Sequence, residues 1–250
     1  MTLDSSHWYL RTGDPFYSGR AKNGHYRPVT LADARLRDAV PSVTTILQII
    51  DKPQLTEWRI KQGILAALTL PRAEGEPDEV YLSRVMADSK KQVVDAADEG
   101  TRIHDALETA YKGGDVPEAY RRHVVPVMDA ISALYPDVND WVSERSFAHA
   151  LGFGGKVDLH SPSTGIVIDF KGKDGDFTDG KKLAYDQHLQ LAAYQKGLDL
   201  PNAECVNVFV SRTHPGCFST HIWTVGEIQD GREIFKAALK LWRLVKKYSP

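Results

Sequence analysis

"GFGGKVDLHSPSTGIVIDFKGKDG", residues 152–175, decides how this chain is read. It contains two short apolar strands joined by the turn "SPSTG". Asp158 interrupts the first strand, and Asp169 and Lys171 interrupt the second. Strand side chains alternate between faces, so Ile166, Ile168 and Phe170 share one face and Val167, Asp169 and Lys171 the other. If the turn closes an antiparallel hairpin, Asp158 comes close to Asp169. Two adjacent carboxylates repel until a proton or a cation relieves them. A hard cation with oxygen ligands, Mg²⁺ or Mn²⁺, is the natural partner. The competing reading is an exposed edge hairpin with Asp169 and Lys171 as a solvated pair. Against it, "IVID" is too apolar for a solvated edge, and Gly154 and Gly155 signal a close backbone approach.

Working outward, "WVSERSFAHA" reads as a strand before this pair, and "ECVNVFVSR" and "CFSTHIWTV" as a hairpin around "THPG". "LAYDQHLQLAAYQKGL" is helical and ends at Gly197. The closing "GEIQDGREIFKAALKLWRLVKKY" is an amphipathic helix with Ile234, Ala238, Leu241 and Val245 as its expected apolar stripe. Toward the N-terminus, "PSVTTIL" starts a helix with Ser42 as N-cap, and "QLTEWRIKQGILAAL" forms a second. After the break "PRAEGEPDE" a helix spans about 78–112 and stops at Gly113 and Gly114. "EAYRRHVVPVMDAISALY" is another, with a bend expected at Pro126. Residues 1–40 read as loops with one short strand. The sum is mixed α/β, with a helical lobe over 1–140 and a sheet-bearing core over 141–250 forming one compact unit.

The chain has 250 residues, 42% hydrophobic and 26% charged, which suits a folded globular protein. No apolar run approaches the roughly 20 residues that span a bilayer, and "MTLDSSHWYL" has no signal-peptide pattern, so a cytoplasmic location is expected. Cys205 and Cys217 flank the last hairpin, where a disulfide is geometrically conceivable. Two cysteines exclude an all-cysteine iron–sulfur cluster or a four-cysteine zinc site. The net charge of -2 gives no global pull toward nucleic acid, so a DNA partner requires basic groups gathered locally. No phosphate-binding "GxxxxGK[ST]" loop is present, which argues against a helicase.

"GGKVDL", "VIDFKGK", "QLAAY" and "DEGTRIHDALE" occur together, preceded by "PSVTTILQIIDKPQLTEW". With this order and spacing the chain resembles the PD-(D/E)XK nuclease superfamily in its RecB-type exonuclease branch, over roughly residues 41–225. Phage exonucleases and the mitochondrial genome maintenance exonuclease belong to that branch. The resemblance implies a restriction-endonuclease-like mixed β-sheet core flanked by helices. It implies a Mg²⁺- or Mn²⁺-dependent deoxyribonuclease, with one or two ions and no iron–sulfur cluster. Asp158 and Asp169 would be metal ligands, with the Phe170 carbonyl and His104 completing the set. Lys171 would assist the attacking water and the phosphate charge. Gln190 and Tyr194, one helical turn apart, would stand near the lysine and the DNA. Glu144 would correspond to an acidic residue that some members carry on the preceding strand. Implied partners are DNA ends or single strands, and a recombination or single-strand-binding protein, in a bacterial or phage-infected cell. Recombination and repair are the implied settings.

Two departures stand out: Gly172 and Lys173 replace a Thr–Ser pair, and the cluster cysteines of some relatives are absent. Read alone, His104 is an ordinary surface or core histidine, Tyr194 is core, Gln190 is a surface amide, and His188 faces away from Gln190. Lys173, Lys181 and Lys182 line a phosphate path or form a solvated loop with Asp174, Asp176 and Asp179. Trp58, Tyr81 and Trp141 are expected in the core, with stacking on a base of single-stranded DNA as the alternative for one of them. A structure-specific endonuclease and a silent DNA-binding scaffold remain as alternatives.

Overall fold

The structure is a computed structural model that describes residues 7–21 and 24–250. Where loops were expected before residue 40, it has three two- or three-residue strands, β1 (Trp8–Tyr9), β2 (Ser18–Arg20) and β3 (Tyr26–Pro28), and a helix, α1 (Leu31–Arg37). Thr30 and Asp33 close a capping box on α1, and Asp38 ends it in the left-handed region. β4 (Val40–Pro41) pairs with β1, so the ends of this segment are tied together. Strands this short carry no alternation to read. Ser42 caps α2 (Val43–Leu47) by accepting from the Thr45 N–H at 3.0 Å, as expected.

α3 (Pro53–Thr69) and α4 (Asp78–Tyr111) follow, and α4 stops at Gly113, whose φ is +74°. α5 (Glu118–Leu134) continues through Pro126. Then come β5 (Val142–His149), β6 (Phe153–Ser161), β7 (Ile166–Lys173), α6 (Gln187–Gly197), β8 (Glu204–Ser211), β9 (Phe218–Ile222) and α7 (Val225–Lys246). The five long strands form one mixed sheet in the order β5-β6-β7-β8-β9. Only β7 and β8 are parallel, joined by the α6 crossover. β7 is therefore the middle strand, not an exposed edge.

The alternation expected on β7 sorts its residues between two cores. Ile166, Ile168 and Phe170 join Val206, Val208 and Val210 of β8 against Ile103 and Leu107 of α4 and Val124, Val127 and Ile131 of α5. Val167 joins Cys205 and Phe209 on the opposite face, under α6, α7, α2 and Trp8. Segments from both halves of the chain thus build each core.

Several expectations need correction. The apolar stripe of α7 is not Ile234, Leu241 and Val245, which are exposed. Its buried face is Ile228, Gly231, Phe235, Ala238, Leu239 and Trp242. The helix carries two apolar rows, and the one with the larger rings and Gly231 wins. A Cβ at Gly231 would meet the His188 carbonyl oxygen at 3.0 Å, so the glycine admits α6. α6 starts at Gln187 rather than Leu183, because the Gln187 side chain takes the Tyr185 N–H at 2.7 Å and Lys52 pairs with Asp186 at 3.3 Å. Trp58 lies on α3 and Tyr81 in the first turn of α4, and neither enters a core cluster. Trp141 does pack on a core, edge-on to Tyr111 and Tyr135.

No disulfide joins Cys205 and Cys217, since they sit at opposite ends of the β8–β9 ladder. Cys205 is buried and its thiol is pushed up to about 12 by that burial. Cys217 is half-exposed. A maleimide at about pH 8 is expected to label one thiol of the folded chain, Cys217, and both after denaturation. Rapid labelling of both without denaturant, counted by mass spectrometry, would contradict the packing described for β8.

Candidate functional site

The site begins where the β6–β7 ladder opens. The two strands pair at Ser161↔Ile166, His160↔Val167 and Leu159↔Ile168. The next rung would set Asp158 opposite Asp169, but no backbone pairing occurs there. Instead the Asp158 carboxylate accepts the Phe170 backbone N–H at 2.8 Å. The sheet thus stops pairing where the register would set Asp158 against Asp169. On the other side of β6, Glu144 lies across from Asp158, between the pairs Ser143↔Leu159 and Arg145↔Val157. Its φ of +57° distorts β5 at that point.

Asp169 has no exposed surface. Its carboxylate accepts from Lys171 Nζ at 2.8 Å, Gln190 Nε2 at 3.0 Å and Asn207 Nδ2 at 2.7 Å. Burial, and then the neighbouring Asp158 charge, push its pKa above the usual carboxylate range, while Lys171 pulls the other way. Every side chain that hydrogen-bonds to it is a donor, so the anion is the form this pocket accommodates. For Lys171, burial acts to lower the pKa, but Asp169 and Asp158 outweigh it and hold the ammonium charged. The Lys171 side chain is partly buried, with 29% of its surface exposed.

α4 and α6 supply the remaining groups. His104 projects from the α4 turn whose Ile103 and Leu107 are buried in the sheet, and its Nδ1 lies 3.7 Å from Asp158 Oδ2. Its ring meets Phe170 edge-on at 6.1 Å between centroids. α4 comes close to β7 at two glycines: a Cβ built on Gly172 would stand 3.4 Å from the Gly100 Cα, an ordinary van der Waals contact. On α6, Gln190 Nε2 donates to the Tyr194 hydroxyl at 2.7 Å as well as to Asp169. Tyr194 is buried and its pKa is driven well above normal by burial and then by Asp169 and Asp158, which keeps it a neutral phenol. Its ring lies over Gly155, where a Cβ would sit 2.8 Å from Tyr194 Cε1. Gly154 likewise admits Tyr9, at 2.9 Å from a hypothetical Cβ. These are the close approaches expected of that glycine pair.

The structure thus brings together Asp158, Asp169, Lys171, His104, Gln190 and Tyr194. The register also sets Glu144 across from Asp158, but its carboxylate is taken by Lys156. Among the described residues no three His, Cys, Asp or Glu side chains are gathered as a finished metal shell. Lys181 pairs with Asp179, and Lys182 lies over the Tyr185 ring at 5.6 Å, so both behave as a solvated loop. Lys173 is half-buried, with its pKa lowered by burial and then by Arg212. His188 turns away from the site onto Trp223, at 4.9 Å between centroids.

Two contributions escaped the sequence reading. Tyr9 packs on Gly154 of β6 and shares a hydroxyl hydrogen bond of 2.6 Å with Tyr17, which sets the N-terminal segment against the strand that carries Asp158; its pKa is raised by burial foremost, with Tyr17, Tyr194 and Asp158 adding to it. Asn207 of β8, fully buried, touches Asp169 directly. Its signal was in the sequence: one amide inside the apolar run of "ECVNVFVSR".

Among known proteins, no family model matches the chain, and no curated protein does. One similar solved structure is the crystal structure of SSO0001, at 17% identity and a TM-score of 0.32, covering 75% of this chain and 86% of that one. At that level the likeness carries no argument about fold family or function. No helix among the described residues is long and apolar enough to cross a membrane.

Proposed function

We propose that the chain is a divalent-cation-dependent deoxyribonuclease of the PD-(D/E)XK, RecB-type kind, with a restriction-endonuclease-like core, that hydrolyses DNA from its ends. One observation carries the reading: Asp169, an aspartate without exposed surface, stands beside Asp158 and Lys171 where the sheet stops pairing. Burying a carboxylate in the middle of a sheet costs roughly several kcal/mol of desolvation, which the Lys171, Gln190 and Asn207 donors offset and which an aliphatic residue there would not incur. A solvated ion pair would need no such place.

The donor set fits Mg²⁺ or Mn²⁺: two carboxylates, the Phe170 carbonyl and the His104 imidazole, hard oxygen donors with one nitrogen. Asp158, Asp169, the Phe170 carbonyl and His104 would hold the ion, with Glu144 set aside by its pairing to Lys156. Bound there, the cation supplies Lewis-acid polarisation of the phosphate and a nucleophilic water at neutral pH. The protein's own groups supply the rest. Lys171 sets a fixed positive charge beside Asp169 for the charge that develops on the phosphate. Gln190 holds Asp169 and Tyr194 in one arrangement, so the carboxylate does not rotate. Among the described residues, Lys173 is the cation nearest the site that makes no ion pair, because Lys52 pairs with Asp186 at 3.3 Å and Arg212 with Asp174 at 2.9 Å, so DNA would have to displace those carboxylates to use the other two charges.

The test is cleavage of three DNA substrates with Mg²⁺ or Mn²⁺: a linear duplex or strand with free ends, a covalently closed circle, and a flap. End-dependent loss of the linear DNA with an intact circle is expected. Cutting of the flap at its junction alone would replace the exonuclease by a structure-specific endonuclease. Binding of all three without cleavage would leave a DNA-binding scaffold.

A further inference from the structure

We infer that Asn207, locked by Trp223, is a positioning residue that aims the Asp169 carboxylate at the divalent cation. This rests on the reading of Asp169 as a metal ligand. β7 and β8 run parallel with Asp169 and Asn207 as partners. Asn207 Nδ2 donates to Asp169 Oδ2 at 2.7 Å and to the Asp169 backbone carbonyl at 3.1 Å. The amide therefore grips both the side chain and the main chain of one residue, which fixes how the carboxylate leaves its strand.

An amide can flip, and a flipped Asn207 would turn an acceptor toward an anion. Trp223 prevents that. Its indole Nε1–H donates to Asn207 Oδ1 at 2.7 Å, and an indole nitrogen is a donor only. The orientation of the amide is thus dictated by chemistry. The indole itself packs on two imidazoles, His188 at 4.9 Å and His221 at 4.4 Å between ring centroids. It is buried, as Asn207 is.

A purely structural role accounts poorly for this amide. Its neighbours on the same face of β8 are Cys205 and Phe209, both in the apolar core. A branched aliphatic side chain would suit that row without the cost of burying an amide. What an aliphatic residue would lack is a donor toward Asp169. Partners that orient a metal-ligating carboxylate are worth about 10–100-fold in metal affinity when removed.

The experiment is Mn²⁺ titration by calorimetry without DNA, on wild type, Asn207→Leu, Trp223→Phe and the double variant. Thermal melts accompany it, and the kcat and KM for DNA are measured at saturating and limiting Mn²⁺. Asn207→Leu is expected to weaken Mn²⁺ binding about 10–100-fold and to lower kcat at limiting Mn²⁺, with KM for DNA unchanged. Trp223→Phe keeps a ring and removes only the N–H; it should shift affinity the same way by less. In the double variant it should add nothing, because the indole acts through the amide. If Asn207→Leu does not fold, Trp223→Phe alone decides. A folded variant whose melt falls while its Mn²⁺ titration superimposes on wild type would overturn the inference and leave a structural amide. If wild type itself binds no Mn²⁺, the metal reading of Asp158 and Asp169 fails first, and the inference with it.

Discussion

Lys171→Met is expected to lower the rate of DNA hydrolysis by about 10²–10³-fold while leaving the fold in place, which is the size of effect seen when one preorganised charge-stabilising group is removed. The methionine keeps most of the volume of the stem but removes the ammonium that lies 2.8 Å from Asp169. Two donors, Gln190 and Asn207, still hold the carboxylate. The loss should therefore fall on kcat and not on the position of Asp169. Asp169→Asn should give a similar loss of rate together with loss of Mn²⁺ binding, since it removes the charge itself. Circular dichroism and steady-state kinetics on the two variants check this. Wild-type rates in Lys171→Met would remove the lysine from the mechanism.

The second large effect lies behind the site. Gly197 ends α6, and an ideal Cβ on it would sit 2.0 Å from Phe147 Cε2 and 2.2 Å from Phe147 Cζ. Phe147 is buried and cannot retreat freely, because it packs edge-on against Phe153 and Tyr194, each at 6.1 Å between centroids. Gly197→Ala is therefore an overpacking change, expected to cost about 1–3 kcal/mol. For a chain of this size that corresponds to a melting point lower by roughly 2–12 °C. Because Phe147 leans on Tyr194, which holds Gln190 at 2.7 Å, some loss of activity should accompany the loss of stability. Gly226→Ala is the control: a Cβ there meets nothing within 4 Å in the first turn of α7, where alanine is the better helix former, so its melt should equal or slightly exceed that of wild type. A Gly197→Ala protein that also melts like wild type would mean that Phe147 is looser than its packing indicates.

The parts of this molecule that were legible in the sequence are those where periodicity and burial coincide. Ile166, Ile168 and Phe170 separate from Val167 and Asp169 as the alternation of β7 requires. The glycine pair before Asp158 does admit two rings. Ser42 and Gly113 mark helix ends by local hydrogen bonding and backbone freedom, both of which a sequence displays. What escaped depends on partners distant in the chain. β1 is two residues long and exists because β4 pairs with it. The buried face of α7 was decided by α6, through Gly231, and not by the count of its aliphatic residues. Tyr9 reaches the site from a segment with no periodic pattern at all. Asn207 shows the same anomaly as Asp169, a polar residue in a buried strand. It becomes interpretable only when the parallel register puts the two side by side.

The measurement that tests the central claim most directly is the fate of end-labelled linear DNA incubated with the wild-type protein in Mg²⁺ or Mn²⁺, in EDTA, and beside Asp169→Asn in Mn²⁺. Loss of full-length DNA is expected with either cation, none in EDTA, and loss slower by about 10²–10³-fold with the variant. Degradation that continues in EDTA, or that Asp169→Asn carries out as fast as wild type, would contradict that claim.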